Sequence, residues 1–459
     1  MKIRIFSALL CLALVLSFAS CNRGIDSADS SSDVLTDSEI ASSSEESTIG
    51  VNETSEDTNL ILEESSVGLS DTTDAGSTEG EGVDTSFEST NTETSDEAAT
   101  EGTTEEETYA HEDGTKRILS IDGITELSEN KNLIIFLVDR FDARYFELAQ
   151  KRTPKIFDSL EGFTFFDDCI SLYGRTFPSI AYMLTGVEND FSEKRVDYFR
   201  YAYQNSEFLN VLKQNNYKIK IYTDDYYAYS DASVMGRYAS NICDAKYTEK
   251  EYSTDQKLAF ELVKNVEFTY DSEKNNFSFI HIQGCHLPNS YDEGFNEMGE
   301  DHPDRWNELV AINTSMQIIN VYIEELKRSG LYESSTIIIV GDHDSARSDS
   351  AELWCEHRTA MLVKPAGVSE GDIVTNSAYV SHENLWATAL ESEGLFYEYD
   401  FAPSVFNVIS DENTLRKYVF HRMDSGFFEI ITYSVKGSAK DFENWTVVDR
   451  KDVDGSVHR

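Results

Sequence analysis

The segment TIIIVGDHDS runs from an apolar stretch directly into Gly341, Asp342 and His343. A carboxylate and an imidazole on one short loop are a donor pair for a divalent ion, and the glycine allows close backbone approach. A capping aspartate beside an incidental histidine would read the same way. A second carboxylate, Asp139, ends another apolar stretch, NLIIFLVD, although an acid in that place also caps a following helix. The third group is Thr176 in YGRTFPSIAYML, at the expected N-cap of a helix whose first turn holds Pro178. Thr-x-Pro is a common helix start. Read as chemistry, a hydroxyl there meets unpaired N–H donors and the positive end of the helix dipole, which hold a phosphate and help an alkoxide form. An ion held by Asp139, Asp342, His343 and the Thr176 oxygen would lower the hydroxyl pKa so that it attacks phosphorus. Zinc or manganese suits such mixed oxygen and nitrogen donors. One ion is expected; a second would need further ligands, and the segment around His281 and His286 lacks an Asp to supply one. Arg175 and Arg358 are candidates to neutralise phosphate oxygens, since Arg forks match them bidentately; ordinary surface arginines are the alternative.

These groups need a frame. Asn132 to Val138, Phe277 to Ile282 and Thr336 to Val340 are continuous apolar runs of the kind buried on both faces of a sheet, and Lys218 to Tyr222 is a shorter one. Between them lie helix-like stretches: Pro178 to Leu184, Lys257 to Val266, and Trp306 to Arg328 with its apolar residues spaced for one buried face. The alternation predicts an α/β fold, a mainly parallel sheet sandwiched by helices. Sites in such sheets form where loops leave the carboxyl ends of strands. Asp139, His286 and the Asp342-His343 pair each follow such a run. His281, within a run, is expected to be packed. Alternating runs between Leu415 and Val453 predict a small C-terminal antiparallel β subdomain.

The opening MKIRIF, the apolar stretch Ile5 to Ala19 and the small residues before Cys21 read as a secretory signal over 1–21 with Cys21 as the lipidated residue. The expected location is therefore the outer face of the cell membrane, held by that lipid. An uncleaved signal anchor or ordinary signal-peptide cleavage would also export the chain. Residues 22–115 carry 27 acidic residues against Arg23 alone, the composition of a disordered, self-repelling Ser/Thr-rich tether. Domains are expected over 116–400, the catalytic part, and 401–459. The formal charge is -46, of which about -22 belongs to the part after the tether. Nucleic acid is excluded as a partner by that charge, because phosphate backbones demand clustered Lys and Arg. Cys169, Cys243, Cys285 and Cys355 are widely spaced, with no CxxC pair; export permits disulfides, and Cys285 with Cys355 is the pair to test.

The ordered set LVDRFD, YGRTFPSIAYMLTG, HIQGCHLPNSYD, VGDHDS and SHENLWATAL resembles the alkaline phosphatase superfamily, in its sulfatase-like branch of lipoteichoic acid synthases and phosphoethanolamine transferases. The resemblance spans about residues 130 to 395. It implies an alkaline phosphatase-like fold and a metal held by Asp139, Thr176, Asp342 and His343. It also implies that His286, in a Gly-x-His-x-Pro-like loop, contacts the substrate, with leaving-group contact or general acid catalysis as its role. His357 and His382 lie in loops that form the site in that family and are the weaker substrate-binding candidates. Sulfatases carry a Cys or Ser, converted to formylglycine, in a Cys-x-Pro-x-Arg pattern; this frame reads Thr176-Phe177-Pro178-Ser179-Ile180, and Thr cannot make formylglycine. Asp344 stands where Gly usually follows the Asp-His pair. The N-terminal membrane helices of the transferases are missing, which favours hydrolysis or transfer between wall or glycan substrates. The expectation is a phosphotransferase or phosphoesterase working through a covalent phospho-threonine on a phosphate ester, including those of cell-envelope lipids or glycans. A sulfuric ester hydrolase acting on glycans and a catalytically silent surface-binding lipoprotein are the rivals.

Overall fold

The computed structural model describes residues 123–223, 267–345, 355–424 and 427–454, together with 118–119, 247–248, 263 and 353. Cys21, the tether, Cys243 and the helix expected over Lys257 to Val266 lie outside the described residues, apart from residue 263 of that helix.

A seven-stranded sheet is built from β1 (Asn132–Val138), β2 (Thr164–Phe166), β3 (Tyr217–Tyr222), β4 (Asn275–Ile282), β5 (Ser335–Val340), β6 (Met361–Lys364) and β7 (Val374–Asn376). Its order is β7-β2-β6-β5-β1-β4-β3, and only β6 runs against the others. The apolar runs become strands because both faces are covered. Along β1, Leu133, Ile135 and Leu137 enter one core while Ile134, Phe136 and Val138 enter the other, as the two-residue period of a strand requires.

The first core is closed by helices α2 (Thr176–Thr185), α3 (Arg195–Gln204), α4 (Glu207–Gln214) and α6 (Leu385–Ser392); the second by α1 (Ala143–Arg152) and α5 (Glu308–Ser329). Caps set the helix limits. The Asp142 side chain accepts the Arg144 N–H to start α1, and Asn307 accepts that of Leu309 to start α5. Gly186 and Gly330, both at φ 76°, end α2 and α5 in the left-handed conformation that glycine adopts without a Cβ penalty. Among the described residues no helix is long and apolar enough to cross a membrane.

Register places the site. Val340 pairs with Leu137 and Val138 with Ile282, so β5, β1 and β4 end level and release their loops at one edge. The residues after those ends are Gly341-Asp342-His343, Asp139 and Gln283 to His286.

Strands β8 (Leu415–Asp424), β9 (Phe427–Lys436) and β10 (Trp445–Asp454) form a separate antiparallel sheet, as the alternating runs predict. It is pinned by Arg416, whose guanidinium donates to Asp168 Oδ1 at 2.8 Å and to the carbonyls of Asp168, Val380 and Gly437. Removing one partner of a buried ion pair costs roughly 3–5 kcal/mol. Main-chain bonds join β8 to the segment entering α2: Gly174 N–H donates to Val419 O, and Val419 N–H to Leu172 O.

Cys169, Cys285 and Cys355 are free thiols, so the pairing of Cys285 with Cys355 is not formed. Cys285 is enclosed in the α1/α5 core, and burial pushes its thiol well up, the state of an inert cysteine.

Candidate active site

Asp139, Asp342 and His343 are all buried, and each offers a donor atom within 4.8 Å of the others. Thr176 joins them: its Oγ1 donates to Asp139 Oδ2 at 3.2 Å and lies 3.3 Å from His343 Nε2. The four groups read from sequence therefore converge. Thr176 is the first residue of α2, and Arg175 is the N-cap, one position earlier than expected; Arg175 makes no side-chain cap bond. The helix still begins at the hydroxyl, and with Pro178 lacking an N–H and that of Ser179 bonded to Arg175 O, its opening N–H groups are those of Thr176 and Phe177.

The loop between β5 and the following chain is held by its own polar groups. Asp342 Oδ1 accepts the backbone N–H groups of Arg140 and His343, both at 2.8 Å. His343 Nδ1 lies 2.6 Å from Asp344 O. A carbonyl can only accept, so Nδ1 carries a proton, and Nε2 faces Thr176 Oγ1 and Asp342 Oδ2. Gly341 is required here: a Cβ would collide with Thr359 Oγ1 and the Phe141 carbonyl.

Two carboxylates so close and so deep are costly unless a cation sits between them. Burial and the Asp139 charge push the Asp342 carboxyl up. Burial works on Asp139 in the same direction, but the His281 hydrogen bond and the surrounding imidazoles outweigh it and hold Asp139 below the usual carboxylate range. Asp139 Oδ1 and Asp342 Oδ2 are buried with no hydrogen-bond donor. Orphaned carboxylate oxygens beside an imidazole nitrogen fit a divalent ion, and these residues are the ones that would hold it.

Sequence reasoning missed His281 as part of this region. Its Nε2 lies 3.3 Å from Asp139 Oδ2 and its Nδ1 2.8 Å from Thr223 Oγ1. It is fully buried, as expected of a strand residue, yet it orients the metal-site carboxylate. The available signal was position: it is the penultimate residue of the strand beside the one leading to Asp139.

His286 is half-buried in the loop after β4, and burial lowers its pKa. At neutral pH the ring is therefore an N–H donor rather than a cation. Its chain neighbours Cys285 and Leu287, with Arg140, Tyr145, Trp306 and Glu308, line a cavity of about 430 Å³ that His286 itself does not line. Arg175, half-buried, stays next to Thr176.

The other three substrate-binding expectations land differently. Arg358, His357 and His382 are 5, 2 and 0% exposed. Arg358 Nη1 donates to Glu147 and to the Asp167 carbonyl. His357 Nδ1 is 2.8 Å from Asp344 Oδ1. His382 Nε2 donates to Gly341 O at 3.0 Å, and burial pushes its pKa down to about 4, leaving it a neutral brace behind the metal-site loop. Each also keeps one buried nitrogen without a hydrogen-bond partner: His357 Nε2, Arg358 Nε and His382 Nδ1.

This arrangement places acids and an imidazole at the ends of parallel strands, facing a hydroxyl at a helix start, as a candidate metal site. A family model described as Sulfatase matches residues 131–394, more than half of the chain, and the chain belongs to that family. It is a sulfatase-like hydrolase or transferase, in keeping with the ordered motifs. No curated protein matches it. Among solved structures it is similar to a protein in the alkaline phosphatase superfamily from Vibrio parahaemolyticus (16% identity, 75% of this chain and 86% of that one, TM-score 0.45). It is also similar to the lipoteichoic acid synthase LtaP from Listeria monocytogenes (14%, 72% and 90%, 0.48) and to the C-terminal periplasmic domain of EcEptC from Escherichia coli (15%, 63% and 90%, 0.39).

Proposed function

We propose that this protein is a metal-dependent phosphotransferase or phosphoesterase that acts outside the cytoplasm through a covalent phospho-Thr176. The observation that carries the reading is the Thr176 hydroxyl at a helix start, within hydrogen-bonding reach of Asp139 and His343. Asp139, Asp342, His343 and the Thr176 oxygen would hold one divalent ion, zinc or manganese, which supplies positive charge that acidifies the hydroxyl and offsets charge on the phosphoryl group.

The chain's own groups do the rest. Thr176 directs its proton at Asp139 Oδ2, and its oxygen forms the new bond to phosphorus as the bond to the leaving alcohol oxygen breaks. The opening N–H groups of α2, with Arg175 beside them, face the phosphoryl oxygens. The neutral His286 ring donates a hydrogen bond to the departing oxygen, and the cavity lined by its chain neighbours receives the alcohol portion. Water or an acceptor alcohol then attacks phosphorus and returns Thr176.

Turnover of nitrophenyl phosphate, bis-nitrophenyl phosphate and nitrophenyl sulfate tests the class. The phosphate esters should turn over, and Thr176→Ala should lower kcat on the order of 10⁴-fold. His286→Ala should cost about 10²-fold on an alkyl phosphate, whose leaving oxygen needs assistance, and under about 10-fold on the nitrophenyl ester, which does not. The family match favours one second reading, hydrolysis of sulfate esters; preferential turnover of the sulfate would establish it. A metal-free, inactive parent would point to a surface-binding role instead. Export and anchoring through Cys21 belong to the same proposal, and loss of membrane fractionation on Cys21→Ala checks them.

A further inference from the structure

We propose that Tyr418, on the C-terminal sheet, is a positioning residue for His343, acting through Asp344. The inference rests on the metal-site reading above and concerns how the imidazole is held.

The Asp344 carbonyl takes the Nδ1 proton of His343, so the place of that carbonyl sets the rotation of the ring and the aim of Nε2. Asp344 is in turn held by its own side chain. Tyr418 donates its hydroxyl to Asp344 Oδ2 at 3.1 Å, and His357 Nδ1 is 2.8 Å from Oδ1. All three residues are buried, and the Tyr418 ring packs against His357 and Trp445 at centroid separations of 5.4 Å each. Apolar side chains would fill this volume without the cost of a buried carboxylate, so the polar cluster is better explained by what it fixes than by stability.

The neighbouring chain makes room for the contact. A Cβ at Gly174 would collide with the Tyr418 hydroxyl, and Gly174 lies two residues before Thr176. The same stretch is bonded to Val419 on both sides, through Leu172 O and Gly174 N–H. Tyr418 therefore stands between the segment that delivers the hydroxyl and the loop that delivers the imidazole. Nothing in the periodicity of β8 singles it out; its hydroxyl does.

The test is calorimetric titration of manganese alone into the metal-stripped full-length protein, for wild type, Tyr418→Phe and Tyr433→Phe. Tyr433 shares the same small core, and its hydroxyl accepts the Leu353 N–H. The melting temperature of each metal-free protein measures the purely structural effect. Tyr418→Phe should raise the Kd for manganese about tenfold or more, the usual consequence of losing a group that orients a metal ligand. Tyr433→Phe should stay within about twofold of wild type on that same basis, at a similar loss of melting temperature. Wild-type affinity in Tyr418→Phe, or an equal loss in both variants, overturns the inference while leaving the proposed function standing. A wild type that binds no manganese and no zinc overturns both. If circular dichroism shows Tyr418→Phe to be unfolded, Gly174→Ala, which crowds the same hydroxyl, is read by the same criterion.

Discussion

The central sheet and the C-terminal sheet solve different problems with different sequences. In the central sheet β1 and β5 are buried along their whole length, with every residue facing one helix layer or the other. Their central residues, Leu133 to Val138 and Ile337 to Val340, are all apolar, so the acids of the site stand where the strands end. The C-terminal sheet divides its residues between two cores: Tyr418, Phe420, Ile431 and Tyr433 enter a small core of their own, Val419, Ile430 and Val453 enter the first core, and Val447 and Val448 on β10 remain exposed. It contributes no ligand to the Asp-Asp-His cluster. Its polar residues Arg416 and Tyr418 instead reach the first domain's loops, one at Asp168 and one at Asp344. The contrast separates residues that do chemistry from residues that hold it still, and the two kinds respond differently to mutation.

The largest contrast is expected at Asp342. Asp342→Asn keeps the acceptor for the Arg140 and His343 N–H groups but removes one of two crowded buried charges. Manganese binding, read by calorimetry, should fall by at least 10- to 100-fold. The metal-free protein should nevertheless melt higher, by about 2–4 °C for each kcal/mol of repulsion relieved. A variant that melts lower without metal would show that the two carboxylates are not in conflict.

A smaller effect is expected at the seam between the sheets. Gly174→Ala forces the added methyl against the Tyr418 hydroxyl. Overpacking of this kind costs about 1–3 kcal/mol, to be read from the urea midpoint. An unchanged midpoint would mean that the C-terminal sheet is not seated against the entry to α2.

The smallest effect tests a charge buried in the central sheet. Lys364, at the end of β6, donates to the carbonyls of Tyr332 and Ser335, and burial lowers its pKa from 10.5 to about 8. Between those values the unfolded chain binds more protons than the folded one, so this group makes stability rise with pH. Lys364→Met should remove that rise. If denaturant titrations at pH 8 and pH 10 give the same difference for both proteins, the lysine is charged when folded.

Much of this organisation was legible in the residues. NLIIFLV, FSFIHI and TIIIV are long enough and apolar enough to declare strands, and the acids following two of them pointed to the cluster of Asp139, Asp342 and His343. A threonine two residues before a proline marked the helix start to within one position. The short strands β2, β6 and β7 carried no such signal, because three or four residues show no period and their pairing, including the reversal of β6, is set by tertiary contacts. Side-chain direction was the other gap. His357, His382 and Arg358 sit in the loops expected to form the site, but burial and partners such as Glu147 and Gly341 decide which way a side chain turns, and those partners are distant in sequence. His281 is packed in its strand as expected, and what the sequence did not show is its partner Asp139.

The central claim is that Thr176 carries the transferred group. Intact-mass and peptide mass spectrometry on protein quenched during turnover of bis-nitrophenyl phosphate reads it directly. The account predicts one phosphoryl-containing adduct per chain, located on Thr176 and missing from Thr176→Ala. Steady turnover by the Thr176→Ala protein, or an adduct on another residue, would contradict it.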